Sequence, residues 1–120
     1  MNFNSPEHEN RFNILRKRSD CSFSDRSRVA LFFIISGVSD LYNNIDEIYD
    51  FETNMLKLDF DDIGEPNLSE LYLCSSANAL LRLAIQLYNG IGLQSVANTF
   101  KNLDSDNVYL AINSLNIRYK

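Results

Sequence analysis

The chain has 120 residues, of which 45% are apolar and 22% charged. That suits a single globular domain spanning 1–120 and excludes a disordered segment or a multidomain assembly. The longest apolar run, residues 29–35, is far below the roughly 18–20 residues of a membrane-spanning helix, and the N-terminus lacks the basic and apolar regions of a signal peptide. A cytoplasmic protein with no membrane partner is therefore expected. Its two cysteines, Cys21 and Cys74, are too few for a disulfide framework and read as free thiols, with Cys74 packed as a small hydrophobe.

Charge is unevenly distributed. The whole chain carries −5, but residues 39–70 hold ten acidic groups against the single base Lys57, a local net of −9. The segments on either side are each net basic. Such a block is the strongest functional signal in the sequence.

Taken in chain order, the first helix is expected over residues 6–18. Ser5 is its N-cap, Pro6 occupies the first helical position, Glu7 and Glu9 face the positive end of the dipole, and Arg16, Lys17 and Arg18 face the other end. Phe12 and Leu15 mark its apolar face, with His8 or Ile14 beside them. A second helix begins at Ser24 as N-cap, with Asp25 in its first turn. It continues through the apolar run and stops at Gly37, read as a left-handed C-terminal residue. Being apolar all round, its second half belongs at the centre of the core.

A third helix is expected from Ser39 or Asp40 to about Asp50. Leu41, Ile45 and Ile48 share one face, and Asp40, Asn43, Glu47 and Asp50 the other. Residues 51–68 are irregular, with a short extended segment near residues 55–60 and breaks at Gly64 and Pro66. A turn at 70–75 precedes a long helix over 76–89, ended by Gly90, whose Leu80, Leu81, Leu83, Ala84, Leu87 and Tyr88 form a broad apolar stripe. Two shorter helices follow at 93–103 and 105–117, the last capped by Asp104. The fold class is thus all-α, a compact irregular bundle of five or six helices.

Catalytic chemistry is poorly supplied. The one histidine, His8, excludes a two-histidine metal site within the chain and reads as a solvated helix residue. Cys74-Ser75-Ser76 places a thiol at a helix start, where the dipole favours a thiolate, but capping by Ser75 or Ser76 explains the run better. The four glycines, Gly37, Gly64, Gly90 and Gly92, form no phosphate-binding loop. No enzyme activity and no cofactor are expected.

Two weaker patterns remain. Residues 59–70 can be laid on a calcium-binding loop with Asp59, Asp61, Gly64, Asn67 and Glu70 in register, but Ile63 occupies a ligand position and Pro66 lacks the amide that pairs with a second loop. A plain acidic surface loop is the stronger reading. Residues 93–115 allow a helix-turn-helix register, with Leu93, Val96, Ala97 and Phe100 before the turn. Its reading helix would open with Asp104 and Asp106, which repel phosphates, so nucleic-acid binding is disfavoured.

Several stretches resemble a family of small uncharacterised proteins from low-GC Gram-positive bacteria, their phages and mobile elements. They are Ser5-Pro6-Glu7-His8-Glu9-Asn10-Arg11-Phe12, Asp40-Leu41-Tyr42, Ile48-Tyr49-Asp50-Phe51-Glu52, Cys74-Ser75-Ser76, Leu83-Ala84-Ile85-Gln86-Leu87-Tyr88-Asn89-Gly90, Ala111-Ile112-Asn113 and Ile117-Arg118-Tyr119. The resemblance covers nearly the whole chain and rests on packing and capping residues. It implies a mobile-element setting, in which small proteins act as inhibitors of host defence or as small regulators. The function expected is a stoichiometric protein-binding inhibitor whose partner is a host nuclease or defence effector. Its binding surface would be Asp46, Glu47, Asp50, Glu52, Asp59, Asp61, Asp62 and Glu65. The alternative is a helix-turn-helix-like transcriptional regulator.

Overall fold

The computed structural model describes residues 1–92 and 94–120. Among them are seven α-helices: α1 (Pro6–Ser19), α2 (Arg26–Ser36), α3 (Ser39–Asn43), α4 (Ile45–Ile48), α5 (Ser75–Asn89), α6 (Val96–Phe100) and α7 (Ser105–Tyr119). A small hairpin pairs β1 (Tyr49–Asp50) antiparallel with β2 (Met55–Leu56), Tyr49 opposite Leu56 and Asp50 opposite Met55. The fold is all-α apart from this ribbon.

The apolar run dictates the arrangement. Every residue from Val29 to Ser36 is buried, so α2 beyond its first turn has no solvent face and must be enclosed. It packs against α5, α7 and α1, and α5 also meets α7. From α5 come Leu80, Leu81, Leu83, Ala84, Ile85 and Leu87, all buried as the stripe requires; α1 adds Phe12 and Leu15, and α7 adds Leu110 and Ala111.

Local starts and stops depart from expectation in instructive ways. Asp25, not Ser24, caps α2: its carboxylate accepts the Arg28 amide and pairs with the Arg28 guanidinium at 2.6 Å, while Ser24 is bonded to Ser22. The helix expected over 39–50 breaks at Asn44, whose Nδ2 donates to the Asp40 carbonyl at 2.7 Å. That side chain takes the acceptor a continuing helix would offer to the Asn44 amide, which bonds to Leu41 instead. Asp50 therefore lies in a strand, and the acidic helix face does not form. The extended segment appears at Met55–Leu56. At the other end of the chain, α6 is shorter than expected. The expected start of its helix at Leu93 lies outside the described residues, and α7 continues to Tyr119.

Gly37 is not left-handed. Its φ is −85°, and its small size is what matters: a Cβ there would lie 2.6 Å from Leu110 Cδ1 and 3.1 Å from His8 Nε2. Gly90, at φ 76°, is the left-handed cap of α5.

The expected solvated histidine is instead buried, with His8 only 3% exposed. Its Nδ1 accepts the Asn4 amide at 3.1 Å, so the proton resides on Nε2, which donates to the Phe33 carbonyl at 2.8 Å. That carbonyl lies in the last turn of α2, where the helix itself supplies too few donors. Ile14, the alternative for that face, is exposed. Cys74, expected to pack as a small hydrophobe, is exposed, whereas Cys21 is buried.

Candidate protein-binding surface

The acidic segment separates into residues that hold the local backbone and residues that face solvent. Asp50 belongs to the first group. Its Oδ1 accepts the Glu52 amide at 2.9 Å and the Thr53 amide at 3.3 Å, shaping the hairpin loop. Those two amides hold its carboxyl below the usual aspartate value. Asp61 acts likewise, accepting the Ile63 and Glu65 amides at 3.1 and 2.9 Å around the turn that contains Gly64. A bridge between Phe60 and Pro66 closes that turn.

Two further carboxylates are tied to helices. Asp46 pairs with Arg18 of α1 at 2.9 Å, and Glu65 pairs with Arg82 of α5. Arg18 also lies over the Phe51 ring at 4.0 Å. These pairs fasten the irregular segment to the bundle.

Glu47, Glu52, Asp59 and Asp62 are exposed and make no ion pair among the described residues. Glu47 and Asp59 converge, with Glu70 and Lys57, on a groove of about 400 Å³ floored by Leu58 and Leu71. The eight carboxylates of the expected surface are thus not one patch: four are structural and four are free.

Two of the positions in the calcium-loop register already hold the local backbone. Asp61 Oδ1 accepts two amides, and Asn67 Oδ1 accepts from the Ser69 amide and hydroxyl at 3.1 and 2.7 Å. No group of three or more His, Cys, Asp or Glu side chains is placed to hold a metal ion among the described residues.

Sequence reasoning missed the apolar partners of the free carboxylates. Tyr72 is 91% exposed, and Ile63 and Met55 are 71% and 62% exposed. Tyr72 follows the 3₁₀ turn Ser69–Leu71 with φ 53°, a left-handed backbone that is costly for an aromatic residue. No periodicity marks these positions, because the segment has no regular element to impose one. The signal in the sequence was the presence of large apolar residues inside or just after the charge block.

Cys74 is the N-cap residue of α5, and neither Ser75 nor Ser76 caps the helix through its side chain. The Ser76 hydroxyl, 3.4 Å from Sγ, and the Ala77 amide lower the thiol pKa. Of the helix-turn-helix register, Leu93 lies outside the described residues, α6 has five residues, and Val96 and Ala97 are exposed.

Residues 1–120 match a family of unknown function, DUF6075. The chain belongs to that family. The DUF6075 match spans the chain from end to end, as the resemblance in its packing residues implied. No curated protein and no solved structure is significantly similar to this DUF6075 chain. No helix among its described residues is long and apolar enough to cross a membrane.

Proposed function

We propose that the chain is a non-catalytic, stoichiometric protein-binding inhibitor, encoded by a phage or mobile element. It would occupy a cationic surface on a host nuclease or defence effector. The observation that carries this reading is that unneutralised carboxylates and exposed apolar side chains both occur along one stretch of the chain, residues 47–72. Glu47, Glu52, Asp59 and Asp62 lack cationic partners among the described residues, while Ile63 and Tyr72 stand in solvent. Tyrosine is enriched among the residues that dominate binding energy, and clustered charge steers encounter with an oppositely charged groove. A groove built for nucleic acid has that charge. The regulator alternative is less favoured, because Asp104 and Asp106 open α7 and would face phosphates.

The test is capture from the native host, identified by mass spectrometry, with the wild-type chain and a Glu47→Lys/Asp59→Lys/Asp62→Lys variant. A nucleic-acid-handling complex should be captured by the first and lost by the second. With the captured partner, the charge variant should associate more slowly, with a flatter salt dependence. Tyr72→Ala should chiefly speed dissociation. An unchanged association rate and salt dependence in the charge variant would remove this surface as the interface.

A further inference from the structure

α7 is the second candidate surface, and its chemistry differs from that of the acidic segment. Its positions 105, 106, 109, 112, 116 and 119 are all exposed and recur at helical spacing, so they share one outward face. Tyr109 is 64% exposed, Ile112 44% and Tyr119 67%. Polar side chains separate them, but charge is scarce. Of the fifteen residues of α7, only Asp106 and Arg118 are charged. Arg118 is held by its bond from Nε to the Leu87 carbonyl at 2.8 Å, and its guanidinium lies over the Tyr119 ring at 5.1 Å from the centroid.

α1 also lies on the outside of the bundle, yet it carries Glu7, Glu9, Arg11, Arg16, Lys17 and Arg18 in fourteen residues. Solvated helix faces are normally charged in that way. Depletion of charge with enrichment of tyrosine is the composition of the middle of an interface.

We infer that the outward face of α7 is a homodimer interface, with two copies of the chain packing α7 against α7 antiparallel about a two-fold axis near Ile112 and Asn113. The face is self-complementary in that arrangement. Asp106 stands at its N-terminal end and exposed Lys120 just beyond its C-terminal end, and neither is in an ion pair among the described residues. Antiparallel pairing brings each Asp106 toward the partner subunit's Lys120, sets Tyr109 against the partner subunit's Asn116, and opposes the two helix dipoles favourably. Parallel pairing would place Asp106 against Asp106. Asn2 and Asn4 edge the face: Asn113 donates to the Asn2 carbonyl and Asn4 to the Asp106 carbonyl.

A helix of this length spans about 22 Å, so the contact is small and the dimer weak, dissociating in roughly the micromolar-to-millimolar range. Sedimentation velocity from about 10 μM to 1 mM, with amide spectra recorded over the same dilution, should show mass rising toward the dimer. Shifts should be confined to α7 and residues 1–4. Ile112→Asp and Tyr109→Lys, both at exposed positions, should leave a monomer with an unchanged helical signal. Asp106→Lys and Lys120→Asp should each weaken the dimer at least about fivefold, and the double exchange should restore it to within about twofold. A chain monomeric across the whole range overturns the inference. So does self-association indifferent to Ile112→Asp, and a double exchange that fails to restore what the single ones lose overturns the antiparallel pairing.

Discussion

His8 has its two ring nitrogens committed to opposite roles, one accepting from the Asn4 amide and one donating to the Phe33 carbonyl. Phe3 stacks edge-on against the ring at a centroid distance of 5.1 Å, and Phe33 lies at 4.7 Å. A second proton on Nδ1 would face an N–H donor in an apolar enclosure. Burial accordingly lowers the His8 pKa from its ordinary value of 6.5, outweighing the Phe33 bond, which raises it. The unfolded chain therefore binds the proton more readily than the native one. The stability this residue contributes is fully present above the unfolded pKa and is lost as pH falls through the lower folded value. Urea unfolding midpoints should drop between pH 7.5 and pH 5, with a flatter profile over that window in His8→Gln. Equal slopes in the two proteins would show that the ring accepts protonation without disturbing the N-terminal segment. A single histidine in a sequence cannot advertise this role, since what buries it is a carbonyl on another helix.

At the scale of elements, the sequence was most legible where a long apolar pattern was bounded by caps. The core of α2 and the stripe of α5 are both buried as their side chains require, and Ser5, Asp104 and Gly90 stand where they end or begin helices. Legibility failed where a side chain competes with the backbone for the same partner. Asn44 splits one expected helix into α3 and α4 by taking the Asp40 carbonyl, and the freed chain forms β1, which pairs with the expected extended segment. The candidate surface was only partly legible for a related reason: Asp50 and Asp61 look identical in sequence to Asp59 and Asp62, but Oδ1 of each accepts amides two to four residues on. The start of α2 offers a direct check. Burial alone would raise the Asp25 pKa, but hydrogen bonds from the Arg28 side chain and amide hold it below its ordinary value. Asp25→Ala should cost about 1–2 kcal/mol by urea unfolding at neutral pH, and Asp25→Asn, which keeps an acceptor for the Arg28 amide, should cost clearly less. Equal losses would assign the effect to the ion pair instead of the cap.

For the molecule as a whole, the question is how a block of net −9 remains attached to a bundle that is otherwise basic. Two cross-element pairs, Arg18 with Asp46 and Arg82 with Glu65, supply local attraction. Both are partly solvated, and such pairs contribute at most about 1 kcal/mol each. Against them stand Glu47, Glu52, Asp59, Asp62 and Glu70, which have no cationic partner among the described residues and repel one another at low salt. Repulsion summed over many exposed charges acts at longer range than a contact pair, so screening removes more of it. Raising sodium chloride from about 10 mM to about 150 mM shortens the screening length from roughly 30 Å to roughly 8 Å. Stability measured in urea should therefore rise over that interval. In Glu47→Lys/Asp59→Lys/Asp62→Lys, whose net charge lies near neutrality, the rise should vanish or reverse. If salt instead destabilises the wild-type chain, the two tethering pairs outweigh the repulsion. The acidic segment would then be a balanced structural feature, with no excess charge left for a partner to neutralise.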